Sequence, residues 1–147
     1  MRAPRAAKRA GAAALLLATL VGASPVGRVD VEVSGVRSAK GLLRVCVTAD
    51  ARSFPRCHGD PLAAKRNVPA GARLVSVDGL PPGAYAAALL HDENGNKRLD
   101  TFAGVPTEGF GFSRNPAIRF GPPRFGDARF QLGGVAETQQ VRMRYMF

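Results

Sequence analysis

The chain has 147 residues, with 21 Lys and Arg against 11 Asp and Glu, a net charge of +10, and two cysteines. Setting aside the four cations of residues 1–23 (Arg2, Arg5, Lys8, Arg9) leaves 17 against 11, a net charge of +6. These cations are scattered and form no basic stripe interleaved with aromatics, which argues against nucleic acid as a partner. They leave a solvated basic surface of the kind that favours anionic lipid or polysaccharide.

Residues 1–23 read as a secretory signal. A basic start is followed by the apolar run Ala12 to Val21 and then by small residues, with a cut expected after Ala23. The apolar run falls short of the about 20 residues that a spanning helix needs, so a retained anchor is the lesser reading. Lys8-Arg9 is not a twin arginine, and general secretion is expected. The protein is therefore expected to be periplasmic or secreted, with no transmembrane span in the mature chain. Residues 24–147 suit one domain with a single core.

Arg28 to Val36 alternates, with Val29, Val31 and Val33 on one side and Asp30, Glu32 and Ser34 on the other, which predicts a half-buried strand. Ala39-Lys40-Gly41 reads as a turn into a second strand marked by Leu43, Val45 and Val47, so the two are expected to form a hairpin. Arg44, Cys46 and Thr48 share the outer face of that second strand. Ala49 to Pro61 is loop and contains Cys57 and His58. In an oxidising compartment Cys46 and Cys57 are expected to form a disulfide that pins this loop over the outer face. A catalytic Cys-His pair is disfavoured, because neighbours in sequence do not readily face one reacting centre and no third group is evident.

Strand signals return at Ala63 to Val68 and Arg73 to Val77. After the turn Pro81-Pro82-Gly83 comes the central strand Ala84 to His91, whose Ala86, Ala87 and Ala88 suggest close approach of a neighbouring layer. Further strands are expected at Ala117 to Phe120, Ala128 to Leu132 and Gln139 to Phe147. The last puts Val141, Met143, Tyr145 and Phe147 on one face. Short strands separated by turn residues predict an all-β antiparallel sandwich. A terminal Phe after alternating apolar residues also suits an outer-membrane barrel strand, but the many Pro and Gly loops argue against a barrel.

The stretch His91 to Asn115 is read as a long central loop. Its Asp92, Asn94 and Asn96 fall on alternate residues, as oxygens converging on a hard cation do. Counting Asp92 as the first position of a calcium loop puts Asn94 third, Asn96 fifth, the Arg98 carbonyl seventh and Asp100 ninth. Lys97 replaces the usual Gly, and Ala103 stands where a bidentate carboxylate is needed, so only weak calcium binding is expected. Glu108 could return to the site if the loop doubles back. The competing reading is a plain turn, since Asp, Asn and Gly favour turns without any metal. His91 is read as a structural hydrogen-bonding group. Phe102, Phe110, Phe112, Phe120 and Phe125 are expected to pack the loop onto the sandwich or to line a ligand groove.

The motif HDENGN with Leu99-Asp100, then Gly104-Val105-Pro106, Glu108-Gly109-Phe110-Gly111-Phe112-Ser113 and Phe120-Gly121-Pro122-Pro123 with Phe125 and Asp127, resembles the domain of unknown function 2141 family. Those are small exported bacterial proteins similar to transthyretin-like or immunoglobulin-like β-sandwiches. The resemblance implies that fold and no established activity. The family usually has Gly where this chain has Lys97. No Gly-x-Ser-x-Gly or His-Glu-x-x-His set is present. The carboxylates Asp92, Glu93, Asp100 and Glu108 leave a hydrolase as a remote alternative. The expected role is a non-catalytic binding or structural module of the cell envelope, taking a peptide, polysaccharide or protein ligand.

Overall fold

The computed structural model describes residues 22–147, so the signal reading of residues 1–23 lies almost wholly outside it. In chain order the strands are β1 (Gly27–Ser34), β2 (Leu42–Thr48), β3 (Ala64–Pro69), β4 (Leu74–Leu80), β5 (Gly83–Asp92), β6 (Thr101–Phe102), β7 (Val105–Pro106) and β8 (Gly109–Phe112). A one-turn helix, α1 (Phe125–Ala128), then leads to β9 (Phe130–Leu132) and β10 (Ala136–Arg142). One sheet has the order β10-β1-β4. The other has the order β3-β2-β5-β8, with β9 paired to the start of β5. The small hairpin β6–β7 stands apart from both.

Alternation explains the core. Val29, Val31 and Val33 of β1, Val75 and Val77 of β4, and Val141 and Met143 at the C-terminal end form one buried layer. They meet Leu43, Val45 and Val47 of β2 and Tyr85, Ala87 and Leu89 of β5 across the sandwich. The all-β sandwich is as expected. The antiparallel rule has one exception, since β1 and β10 run parallel.

Four expectations are corrected. β1 and β2 do not form a hairpin: β1 pairs with β10 and β4, while β2 pairs with β3 and β5. Both strands have an apolar face, and those faces oppose each other across the core, so residues 35–41 cross between sheets. Alternation identifies a strand but not its partner. Residues 117–120 form no strand, and Phe120 is fully exposed beside Gly121-Pro122-Pro123. Conversely, β8 lies within the stretch read as loop and pairs with β5 from Ala88↔Phe112 to His91↔Gly109. The expected last strand also stops early, at Arg142, although Phe110 and Arg144 still exchange backbone hydrogen bonds of 3.0 and 2.8 Å.

The main strands divide into two separate sheets rather than closing into a barrel, in line with the sequence argument against one. Among the described residues no helix is long and apolar enough to cross a membrane.

The outer face of the second sheet carries its own apolar cluster. Phe54, Phe110, Phe112 and Ala128 cover Ala86 and Ala88, with Ile118 and Phe125 packed against them. The alanines of β5 are small because these rings lie directly on them. Phe54 meets Phe112 and Phe125 edge-on, at centroid distances of 5.9 and 6.1 Å. The Cys46–Cys57 disulfide forms as expected, with Cα atoms 6.6 Å apart, and holds the Phe54 loop over this face.

Candidate functional site

The last residues of β5 and the first of β8 close the base of the central loop. Asp92 is completely buried, and both its oxygens are engaged. Oδ1 accepts from the Gly95 and Asn96 N–H groups at 2.7 and 3.1 Å. Oδ2 accepts from the Lys97 N–H at 2.9 Å and from Arg44 Nε at 2.6 Å. Burial alone would raise the Asp92 pKa. Arg44 and the Lys97 and Gly95 N–H groups outweigh it and hold the carboxyl below its ordinary range.

The other polar residues behave alike. Glu108 does double back: its oxygens accept from the Glu93 and Asp100 N–H groups at 3.1 and 3.2 Å. Asp100 accepts from the side-chain amides of Asn94 and Asn96. The Asn94 and Asn96 side-chain oxygens accept from the Asn96 and Arg98 N–H groups. The five expected calcium residues, Asp92, Asn94, Asn96, Arg98 and Asp100, are therefore neighbours. The side-chain oxygens that the spacing assigned to an ion nevertheless point at the loop's own N–H groups and at Arg44. Among the described residues no group of three or more His, Cys, Asp or Glu is arranged to hold a metal. As folded, the side-chain oxygens of this set are hydrogen-bonded within the fold.

Beside this base lies a second lock. His91 is fully buried, with Nε2 2.8 Å from the Lys40 carbonyl and Nδ1 2.8 Å from the Tyr145 hydroxyl. A carbonyl only accepts, so Nε2 donates to it, and in the neutral ring Nδ1 accepts from the hydroxyl. The hydroxyl in turn accepts from the Arg37 N–H. Arg37 lies 4.5 Å from the Tyr145 ring centroid and pairs with Glu93, which also accepts from Ser38. Gly109 and Gly41 are required by space: a Cβ on Gly109 would enter the Tyr145 ring, and one on Gly41 would strike the Asp92 carbonyl.

The motifs thus divide by face. In Glu108-Gly109-Phe110-Gly111-Phe112-Ser113, Glu108 caps the loop and the glycines face Tyr145, Val141 and Met143. The phenylalanines build the outer cluster. Ser113 accepts from the Ala87 N–H at 2.9 Å and donates to the Ala128 carbonyl. Of the five rings singled out, Phe110, Phe112 and Phe125 pack against the sheet, whereas Phe102 and Phe120 are exposed. Sequence reasoning missed Arg37 and Arg44, because nothing local marks either as a partner. The inward alternation of Tyr145 was the one usable signal for the His91 lock.

The site is thus a β-sandwich end whose long loop is closed by its own carboxylates. Residues 31–140 match the family profile described as an uncharacterized protein conserved in bacteria (DUF2141), and the chain belongs to that family. No curated protein and no solved structure matched the chain.

Proposed function

We propose that this chain is a non-catalytic binding module of the cell envelope, with the β6–β7 hairpin as its contact element. One observation carries the reading. Every carboxylate at the base of the loop accepts hydrogen bonds from within the fold, while Leu99, Phe102 and Val105 point outward, 39%, 71% and 40% exposed. A rigid base under an apolar tip is the geometry of a surface made to meet something. The turn is tight, with Ala103 and Gly104 both at positive φ, 50° and 80°, as two-residue hairpins require. The loop base is held by N–H donors of the fold itself.

The export reading is compatible with the Cys46–Cys57 disulfide. A carboxylate hydrolase has less support. A concavity of about 470 Å³ at the opposite end gathers Asp50 and Asp60. The Thr48 hydroxyl, however, holds Asp60 below the ordinary carboxylate range, where a general acid must be raised.

The test is cell fractionation of Phe102→Ser combined with Val105→Ser. Both side chains are exposed, so the fold should persist, and the variant should leave the envelope fraction that retains the parent. Equal retention of the two proteins overturns the reading.

A further inference from the structure

Resting on that reading, we infer that the hairpin end docks on an anionic lipid surface. Leu99, Phe102 and Val105 enter the interfacial layer, and Lys97 and Arg98 contact headgroup phosphates. Three observations lead to lipid. The first is charge. Asp92, Glu93, Asp100 and Glu108 all turn onto donors within the fold. Lys40, Lys97 and Arg98 are exposed, and among the described residues their side chains have neither a carboxylate nor a hydrogen-bond partner. The outward layer of this end is therefore cationic, complementary to phosphate.

The second is shape. The apolar residues stand on or next to a hairpin of two-residue strands apart from both sheets, and three side chains are too few to cover the roughly 1,200–2,000 Å² that a stable protein interface buries. A tip needs no matching pocket in a bilayer. Polysaccharide recognition would call for outward polar side chains beside the ring, but Asn94, Asn96 and Asp100 bond to one another and to the loop backbone.

The third is extent. The Arg37 guanidinium donates both to the Thr107 carbonyl and to the Phe147 carbonyl. This places exposed Met146 and Phe147 at the same end as the hairpin. The apolar tip thus shares its end of the sandwich with a second exposed apolar pair and with the unpaired cations, as an interfacial anchor does.

The absence of tryptophan allows a direct test. Phe102→Trp puts a single fluorophore at the tip, and Leu62→Trp, at an exposed position beside the Asp50–Asp60 concavity, puts one at the far end. The processed protein recovered from an expressing bacterium is mixed with vesicles of equal parts phosphatidylglycerol and phosphatidylcholine, or of phosphatidylcholine alone. The Phe102→Trp emission should shift to the blue and be quenched by brominated lipid in the anionic vesicles, while Leu62→Trp should not respond. Co-sedimentation of Lys97→Gln with Arg98→Gln should fall roughly 25-fold, about fivefold for each cation removed. Phe102→Ser should lose roughly tenfold or more.

No blue shift, or equal sedimentation by parent and variants, overturns the lipid assignment. If that occurs while the Phe102→Ser, Val105→Ser pair still leaves the envelope fraction, the module reading stands and its partner is a protein or polysaccharide. If both experiments fail, both readings fall.

Discussion

Two loops leave the same sheet, one after β2 and one after β5, and only the first has a covalent bond and an inward ring to fasten it. Residues 49–63 are held by the Cys46–Cys57 bond and by Phe54, which turns its ring inward onto Phe112. Residues 93–108 have no covalent tie, and their base is fastened by Asp92, Glu93 and Glu108 accepting hydrogen bonds. In the first loop a disulfide and an inward ring work beside Asp50 and Asp60, which accept from the Arg52 and Leu62 N–H groups. In the second, polar groups do that work alone, and Leu99, Phe102 and Val105 are left exposed. A loop that needs its Asp, Asn and Glu side chains to satisfy its own backbone can present only what remains, here Phe102, Val105, Leu99 and two cations.

Breaking the polar fastener should have the largest effect. Asp92→Ala strands Arg44 and three backbone N–H groups, and breaking a buried pair on one side costs roughly 4 kcal/mol. Urea unfolding would measure it, and limited proteolysis should place the new cleavage within residues 93–108. The same fastener makes stability depend on acid. Asp92 and Glu93 both have folded-state pKa values below their unfolded ones. At Glu93, as at Asp92, burial would raise the value, and Arg37 and Ser38 outweigh it. A depressed carboxyl contributes fully above its unfolded pKa of about 4 and loses that contribution as pH falls through the folded value. Melting temperature should therefore fall below about pH 4, and less steeply in Asp92→Ala.

Breaking the covalent fastener should come second. The bond closes a ring of twelve residues, and replacing Cys46 and Cys57 with Ser should cost about 3 kcal/mol by the loop-entropy relation. This loss should be flat across acid pH, and it should leave residues 93–108 protected from protease. A common loss of protection in both loops would show that they are not fastened independently.

Sequence pattern reached these two loops unequally. The disulfide was legible because only two cysteines exist and Cys46 alternates onto an outer face. Strand positions followed from Val29, Val31 and Val33 and from Leu43, Val45 and Val47, since period-two burial is local. Pairing was not legible: β1 looked like the partner of β2, and only the closed core shows that they face each other. β8 was missed because Gly109 and Gly111 carry no side chain to mark an inward face, yet that space is what Tyr145 and Met143 occupy. For the central loop the sequence supports two readings, a weak calcium loop and a plain turn. Alternate oxygens do converge, but the same spacing also brings them onto backbone N–H groups two to five residues on. Spacing cannot separate a cation from an N–H donor, because both ask for an oxygen at the same place.

Lys97 offers the smallest and sharpest test of that distinction. It holds φ at 68°, a left-handed conformation that costs a residue with a Cβ about 1 kcal/mol. Its N–H is nevertheless required by Asp92, so the strain is kept in place by the capping bond. Lys97→Gly removes the strain and retains the N–H, and should stabilise the protein by up to about 1 kcal/mol, partly offset by the greater freedom of Gly in the unfolded chain. If the loop is fastened by its own donors, this gain should be the same in millimolar calcium and in chelator, with no heat on titration. A calcium site would behave otherwise: removing a cation from beside the ion would strengthen binding, and the melting shift would grow with calcium concentration. Thermal melts of both proteins with and without calcium therefore decide the matter. A calcium-dependent gain in Lys97→Gly would mean that the Asp92 oxygens can leave their N–H partners for a metal.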